Sequence, residues 1–240
     1  MDKTPSITGV LVTGKTADRY PLAMKAVEAW QNQNYPGPRQ LLIINDHPSQ
    51  ALFRPASSLP EHVFEIRVHK QQTLGQLRNH GMTLAQGEYI VQWDDDDYSH
   101  PDRLSWQVKN TPEGQASIFR WEIHCNLKTG DAFANCGDEI RTKGFPGTML
   151  WPAKLPVSFP AKGKAEDTEF VLDLKAECGL TVLENDPRLY FRCYHGHNTW
   201  SEQHVMNRKR NSRDLNEAER GFVDDMLAGP YAEIREALQT

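Results

Sequence analysis

The sequence predicts an α/β protein with a mixed, mostly parallel central sheet flanked by helices. Four short runs rich in apolar and β-branched residues have the length and composition of buried strands. These runs are residues 7–13, 40–45, 63–68 and 88–93. Apolar residues at helical spacing fill two of the intervals between them, at residues 22–30 and 74–86. Strands that alternate with helices in this way are typical of parallel sheets covered by helices.

The second half of the chain has a less regular pattern. It predicts two strands, a loop that enters a third strand, and a helix. They are residues 117–123, 188–194, 144–151 and 166–178, in that order. From Ser201 onward the sequence is charged and helical in character. We therefore expect one α/β domain at residues 1–200 and a short C-terminal helical appendage at residues 201–240.

Composition limits the classes of protein that the chain can belong to. Of its 240 residues, 38% are hydrophobic and 25% are charged, which favours an ordinary globular core over disorder. The net charge of -5 gives no strong sign of nucleic-acid binding, because proteins that bind nucleic acids usually carry a basic surface. No run approaches the length of a transmembrane segment. The four cysteines form no CxxC pair. We expect a cytoplasmic protein with reduced thiols, at most peripheral at a membrane.

Four consecutive aspartates, at residues 94–97, follow the predicted strand at residues 88–93. Neighbouring carboxylates raise one another's pKa, and a divalent cation removes that penalty. In an extended segment, residues two apart point the same way, so Asp94 and Asp96 are expected to share one ligand. Thr13 and Asp46 also fall at predicted strand ends, where α/β sheets bind ligands. The pattern predicts a site for Mg²⁺ or Mn²⁺ and a substrate phosphate.

The segment around this acidic box also carries a dense set of short motifs. They are Arg78-Asn79, Gly87-Glu88-Tyr89-Ile90, the box with Asp94, Asp96 and Asp97, and Pro101-Asp102-Arg103-Leu104. In order and spacing the segment resembles the core of the inverting family-2 glycosyltransferases with the GT-A fold. Those enzymes show an ARN-like helix, a GEYI-type strand, a D-x-D-D box and a PDRL-like helix start. The resemblance implies the GT-A fold for this chain.

The resemblance also implies an activity and its cofactor. The expected reaction moves a sugar from a nucleotide-diphosphate donor, with a UDP-sugar favoured, to a hydroxyl of a glycan or another acceptor. The expected cofactor is Mn²⁺ or Mg²⁺, with Asp96 as the metal ligand and Asp94 beside it. Asp94 and Asp95 are expected to contact the ribose, the metal or its water, and Asp97 to be structural.

Further donor contacts are implied at positions outside the box. Thr13 and Asp46 are expected to hold the nucleotide. Arg78 is expected to lie near the diphosphate or to pair with the acidic cluster, and the sequence leaves both readings open. His195 or His197 is expected to meet the diphosphate or the metal, without a choice between them. At Gly14-Lys15-Thr16 the chain departs from the tyrosine–asparagine pair that is usual in the family.

The catalytic base is expected in a second acidic feature, Glu166-Asp167. An inverting transfer needs a carboxylate that takes the proton of the acceptor hydroxyl. The dyad resembles the family's ED motif, in which Asp167 is at the position of the base. Acidic residues also begin helices for electrostatic reasons, so the dyad alone is a weak signal.

Weaker expectations concern the acceptor side, and two alternative functions stay open. Residues 145–149 are expected to form a loop beside the acceptor, and Trp121, Trp151 and Trp200 to stack on sugars or to fill the core. The alternatives are an inactive homologue that binds a nucleotide-sugar or glycan, and a metal-dependent phosphotransferase. The phosphotransferase is disfavoured because its D-x-D box usually follows the first strand.

Overall fold

The computed structural model describes residues 4–14, 16, 19–53, 56–139, 141–199, 201, 203, 209 and 212–239. Lys15 and Trp200, on which two of the sequence expectations fall, lie outside the described residues.

Strands outnumber α-helices in the described part of the chain. The strands are β1 (Ile7–Thr13), β2 (Arg39–Asn45), β3 (Val63–Arg67), β4 (Tyr89–Gln92), β5 (Tyr98–Ser99), β6 (Ala116–Phe119), β7 (Trp121–Asn126), β8 (Ala132–Cys136), β9 (Phe145–Pro152), β10 (Leu180–Leu183), β11 (Tyr190–Tyr194) and β12 (Ser212–Arg213). The helices are α1 (Tyr20–Gln31), α2 (Leu74–Leu84), α3 (Arg103–Asn110), α4 (Glu166–Glu177), α5 (Glu217–Ala228) and α6 (Ala232–Gln239).

The main sheet has seven strands in the order β10-β6-β9-β4-β1-β2-β3. Strands β3, β2, β1 and β4 pair in parallel, and β10 pairs in parallel with β6. Strand β9 runs antiparallel to its neighbours β4 and β6. The predicted fold class, a mixed and mostly parallel sheet flanked by helices, is therefore confirmed.

Two apolar clusters cover the two faces of this sheet. On one face Trp30 of α1 packs edge-on against Trp93, with ring centroids 5.0 Å apart. On the other face α2 and α4 pack over β1, β4 and β9. A Cβ atom on Gly81 would lie 2.5 Å from a methyl group of Val10, so a glycine at this position lets α2 approach the sheet closely.

The other five strands form a second sheet, in the order β12-β8-β7-β11-β5. Its apolar face packs against the C-terminal helices α5 and α6. Val223 and Tyr231 of this C-terminal segment join Ile123 and Phe191 in one buried cluster. The acidic box connects the sheets, because β4 belongs to the first and β5 to the second.

Two of the sequence expectations for the second half were wrong. Residues 117–123 form two strands of different sheets, because the chain leaves the main sheet at Arg120, whose backbone bonds to Leu183 and Gly137. Residues 145–149 belong to β9 in the middle of the main sheet, although Pro146 and Gly147 have low strand propensity. Burial between β4 and β6 outweighs that local preference.

Two further observations concern the cysteines and the length of the helices. The four cysteines are unpaired, and Cys125 and Cys193 are buried. Among the helices that the structure describes, none has the length and apolar character needed to cross a membrane.

Candidate active site

The carboxyl ends of β1, β2 and β4 meet at one cleft. Its volume is about 1150 Å³ including the open mouth. Most of the predicted site residues line this cleft together, on five different elements or the loops that follow them. They are Thr13, Asp46, Arg78, Asp94, Asp95, Asp96, Glu166 and Asp167.

At the base of the cleft the four aspartates form a turn. Residues 95–97 have turn and bend geometry, so the expectation of an extended segment was wrong. Asp94 accepts hydrogen bonds from Gln92 at 2.8 Å and from Arg78 at 3.2 Å. Asp96 accepts from different groups, described below. Asp94 and Asp96 therefore face different partners, because the turn breaks the alternation on which the prediction of a shared ligand depended.

Asp95 and Asp96 are held together by Arg19. The Arg19 Nε atom donates to Asp95 at 3.1 Å, and Nη2 bonds to Asp95 and lies 3.0 Å from Asp96. Arg19 directly precedes α1, and the chain topology brings it to the box across about 75 residues. The sequence interpretation missed Arg19 because no motif surrounds it.

The ionisation of the two carboxyl groups differs although they share this guanidinium. Burial raises the pKa of Asp95 above its ordinary value, and Arg19 offsets this only in part. Burial also raises the pKa of Asp96, but Arg19 and His195 outweigh it and hold that pKa well below the ordinary value. Asp96 is therefore an anion at neutral pH.

Asp97 points away from these groups and into the protein. It accepts hydrogen bonds from the Tyr190 hydroxyl at 2.7 Å and from the Cys193 backbone N–H at 2.9 Å. Burial and the nearby Asp96 raise the pKa of Asp97 well above its ordinary value. Its contacts fix the box to β11.

Arg78 bridges the box and the second acidic feature. Its Nη1 atom bonds to the Glu166 carboxylate, and its Nη2 atom contacts Asp94. Of the two readings open for Arg78, the structure shows the pairing with acidic groups. Burial raises the pKa of Glu166, and Arg78 opposes this shift. The Glu166 side chain is 2% exposed and is engaged by this pair.

Asp167 stands at the rim of the same cleft, in the first turn of α4. Its Oδ1 atom accepts a hydrogen bond from the next backbone N–H, that of Thr168, at 2.7 Å. The residue before the dyad, Ala165, has φ 57° and ψ 17°, a left-handed conformation that is uncommon for a residue other than glycine. This strained start of α4 places Glu166 inward and Asp167 at the cleft.

The structure separates the two histidines that the sequence left as alternatives. His195 is buried, and its Nε2 atom lies 3.3 Å from an Asp96 oxygen. Asn198 also donates to Asp96, at 3.2 Å. His197 is exposed; its backbone carbonyl accepts from Arg19 at 3.4 Å, and its ring lies beside that of His195, with centroids 6.2 Å apart. His195 is the histidine whose ring belongs to the site.

Thr13 and Asp46 line the cleft beside the acidic box, where β1 and β2 end. The Asp46 backbone N–H donates to the Thr13 carbonyl at 3.1 Å. Gly14 follows with φ 126°, and a Cβ atom there would lie 2.3 Å from the Asp46 carboxylate. Only glycine fits this turn, which keeps Asp46 against the end of β1.

The expected contacts of other residues with an acceptor sugar need correction. Gly147 lies in β9 and not in a loop, and a Cβ atom on it would be 2.9 Å from the Asp94 carboxylate. Trp151 is buried against Phe170. Trp121 donates to Glu184 at 2.7 Å and does not line the cleft.

The acidic box supplies some, but not all, of the ligands that a divalent cation requires. Among the described residues, no three or more His, Cys, Asp or Glu side chains form a ready cation site. Mg²⁺ and related ions often bind through one or two carboxylates, with substrate phosphate and water as the other ligands. The oxygens of Asp95 and Asp96 fit that two-carboxylate arrangement, although Arg19 engages both of them.

Comparisons with known proteins agree with this fold. Residues 17–126 match the family described as Glycosyl transferase family 2. The crystal structure of S. aureus TarS 1-349 in complex with UDP-GlcNAc has a TM-score of 0.65 and 13% identity, over 97% of this chain and 74% of that one. The complex of TarS 1-349 with UDP has a TM-score of 0.60 and 15% identity, over 95% and 73%.

A longer TarS chain gives a TM-score of 0.61 at 13% identity over 97% of this chain, which spans only 44% of that one. No curated protein sequence matches the chain. At these identities the structural likeness shows the fold and not the family. The chain has the GT-A fold, and its residues 17–126, less than half of its length, are similar to Glycosyl transferase family 2.

Proposed function

We propose that the chain is an inverting glycosyltransferase. It moves a sugar from a nucleotide-diphosphate donor to an acceptor hydroxyl, with a divalent cation and with Asp167 as the general base. This proposal is based on the different positions of Glu166 and Asp167. Glu166 is buried in a pair with Arg78, whereas Asp167 faces the cleft that also contains Asp96.

A UDP-sugar is the favoured donor. The neighbouring TarS structures were solved with UDP-GlcNAc and with UDP. In this chain the cleft lies at the carboxyl ends of parallel strands, where α/β sheets bind nucleotides. Thr13 and Asp46 on one wall are the proposed nucleotide contacts, and His195 near Asp96 is the proposed contact for the diphosphate end.

The lining of the cleft supports a cation. Seven carboxyl groups and four lysine or arginine side chains line it, so the cleft offers more oxygen ligands for a cation than positive side chains for a diphosphate. Asp96 stays ionised because its pKa is lowered, and with Asp95 or Asp94 beside it we propose it as the ligand of Mn²⁺ or Mg²⁺. A bound divalent ion would stabilise the charge of the leaving nucleoside diphosphate as a Lewis acid.

Asp167 is the proposed base. The acceptor oxygen attacks the anomeric carbon of the sugar as the bond to the diphosphate breaks, and the hydroxyl proton passes to the Asp167 carboxylate. Arg78 and Glu166 hold the start of α4, so they position this carboxylate without taking part in the proton transfer. The acceptor is a glycan or another molecule with a hydroxyl group.

The test is a panel of UDP-, GDP- and dTDP-sugars with Mn²⁺, measured by thermal shift and by slow donor hydrolysis. One donor should stabilise the protein in a metal-dependent manner, and Asp96→Ala should abolish that effect. If no nucleotide-sugar shifts the melting temperature while simple phosphate esters are hydrolysed, the phosphotransferase alternative is right. Stabilisation without turnover of donor or acceptor would favour the inactive binding homologue.

A matched pair of variants on α4 tests the base. Asp167→Asn should bind the donor normally but lose activity by about 10²- to 10⁴-fold, the range expected for a general base. Asp173→Asn, on an exposed part of the same helix, should keep wild-type activity. Loss of donor binding in Asp167→Asn would show that Asp167 is structural.

A further inference from the structure

Arg19 engages the same two carboxylates that the proposed cation needs. Its Nε and Nη2 atoms bond to Asp95, its Nη2 atom also lies 3.0 Å from Asp96, and its Nη1 atom donates to the His197 carbonyl at 3.4 Å. The side chain is 18% exposed, so the guanidinium is largely enclosed by these acceptors.

A guanidinium and a divalent cation compete for this pair of carboxylates. Arg19 bonds to both oxygens of Asp95 and to one oxygen of Asp96, so a cation that takes those oxygens meets the positive charge of Arg19 at a separation of a few ångströms. A cation therefore binds Asp95 and Asp96 fully only when Arg19 moves away. Moving a largely enclosed guanidinium without a new anionic partner is unfavourable, because its charge would lose both carboxylates.

The donor supplies such a partner. Arginine binds phosphate groups through paired hydrogen bonds, and the diphosphate of a nucleotide-sugar carries two negative charges. Arg19 directly precedes α1 and lines the cleft together with Thr13, Gly14 and Asp46. A diphosphate bound in the cleft beside these residues and the acidic box would lie within reach of the guanidinium.

We propose that Arg19 couples cation entry to donor binding. In the free protein it pairs with Asp95 and Asp96, and on donor binding it transfers to the diphosphate and frees the two carboxylates for the cation. This inference depends on the donor site of the proposed function. It predicts that the cation and UDP each strengthen the binding of the other, because coupling between two ligands is reciprocal.

The experiment measures Mn²⁺ affinity of the full chain with and without saturating UDP, by electron paramagnetic resonance of free Mn²⁺. In the wild type, UDP should tighten Mn²⁺ binding by at least about tenfold, within the usual range of coupling between sites. Arg19→Met keeps much of the side-chain length but removes the charge. It should bind Mn²⁺ alone more tightly than the wild type. UDP should tighten its Mn²⁺ binding by a smaller factor than in the wild type, because only the direct contact between the diphosphate and the cation then remains.

Two further variants test whether the effect comes from Arg19 and from its paired hydrogen-bond donors. Arg188→Met removes an exposed arginine that pairs with Asp186 outside the cleft, and it should behave as the wild type. Arg19→Lys keeps the charge but not the paired donors, and its enhancement should lie between the two. Mn²⁺ alone should raise the melting temperature of Arg19→Met more than that of the wild type, which also shows that the variant is folded.

The inference is overturned if Arg19→Met binds Mn²⁺ alone no better than the wild type, or if UDP tightens its Mn²⁺ binding by as large a factor as in the wild type. Failure of the proposed function has a different signature, since wild-type protein would then bind no nucleotide-sugar with or without Mn²⁺. The comparison of Mn²⁺ affinities without UDP still tests the blocking role of Arg19 in that case.

Discussion

At the scale of single residues, four consecutive aspartates have three different environments. Asp94 bonds to Arg78 and Gln92, Asp95 and Asp96 share Arg19, and Asp97 bonds to β11. Burial raises the pKa of Asp95 and of Asp97, whereas the cationic neighbours of Asp96 lower its pKa. Within one turn, Asp96 is thus an anion, Asp94 pairs with Arg78, and Asp97 is an acceptor that fixes the turn to β11.

Gly147 gives a prediction at this scale. In Gly147→Ala the new methyl group would lie 2.9 Å from an Asp94 oxygen, so the carboxylate must move. Because small displacements of a positioned group weaken its interactions strongly, we expect donor affinity in Mn²⁺ to fall by on the order of tenfold or more. Isothermal titration with the donor found in the panel measures it.

Gly163→Ala is the matched control, since a Cβ atom there would meet no atom within 4 Å. It should bind the donor as the wild type does. Wild-type affinity in Gly147→Ala would mean that the position of Asp94 is unimportant for the donor.

The sequence predicted the residues of the site better than their contacts. The box and the Glu166-Asp167 dyad could be found because they occur in short, ordered motifs. Arg19 could not, since a single arginine before a helix has no distinguishing pattern and only the tertiary fold brings it to Asp95. The two readings of Arg78 could be separated only when the position of Glu166 was known.

At the scale of elements, helices α2 and α4 bring the two acidic features to one cleft. Arg78 of α2 and Glu166 of α4 form a pair in which both residues are less than 10% exposed. Such a pair fixes the relative position of its two helices, and loss of one partner leaves an uncompensated buried charge.

A double-mutant cycle tests this link. Arg78→Met should lower the free energy of unfolding by about 3–5 kcal/mol, because Glu166 stays buried without its partner. The double variant Arg78→Met/Glu166→Gln should recover part of that loss, since the unpaired charge of Glu166 is removed and only Asp94 has lost its arginine. Urea denaturation of the two single variants and the double variant gives the coupling. Additive effects would show that the pair does not link the helices.

Strand predictions were reliable where the local pattern and the burial agreed. Residues 7–13 form β1 as expected, because a continuous β-branched apolar run suits a strand buried on both faces. Strand β9 was expected to begin as a loop, because Pro146 and Gly147 are residue types that strands disfavour. Two-residue strands such as β5 and β12 have too few residues to show any alternation.

At the scale of the whole molecule, the second sheet joins the cleft to the C-terminal helices. In strand β11 the Cys193 backbone N–H donates to Asp97 of the acidic box. The Phe191 ring of the same strand packs against Tyr231 in the C-terminal segment. The sequence predicted helical character after Ser201 but not this packing, since contacts between residues distant in sequence leave no local pattern.

Tyr231→Ala tests this arrangement. Tyr231 is 1% exposed, and loss of its ring should lower the free energy of unfolding by about 3 kcal/mol or more. The exposed Glu236→Ala on the same segment is the control and should change stability by less than about 0.5 kcal/mol. Urea denaturation followed by tryptophan fluorescence measures both. Unchanged stability of Tyr231→Ala would show that the helices are not part of the folded core.

The stereochemistry of the product distinguishes inverting transfer from the alternatives. Protein with Mn²⁺ and the α-linked nucleotide-sugar identified in the panel is followed by proton NMR from the earliest times of donor turnover, before the free sugar mutarotates. We expect the first product to have the β configuration at the anomeric carbon, and Asp167→Asn to form it at least about 10²-fold more slowly. A first product that keeps the α configuration would contradict direct attack assisted by Asp167.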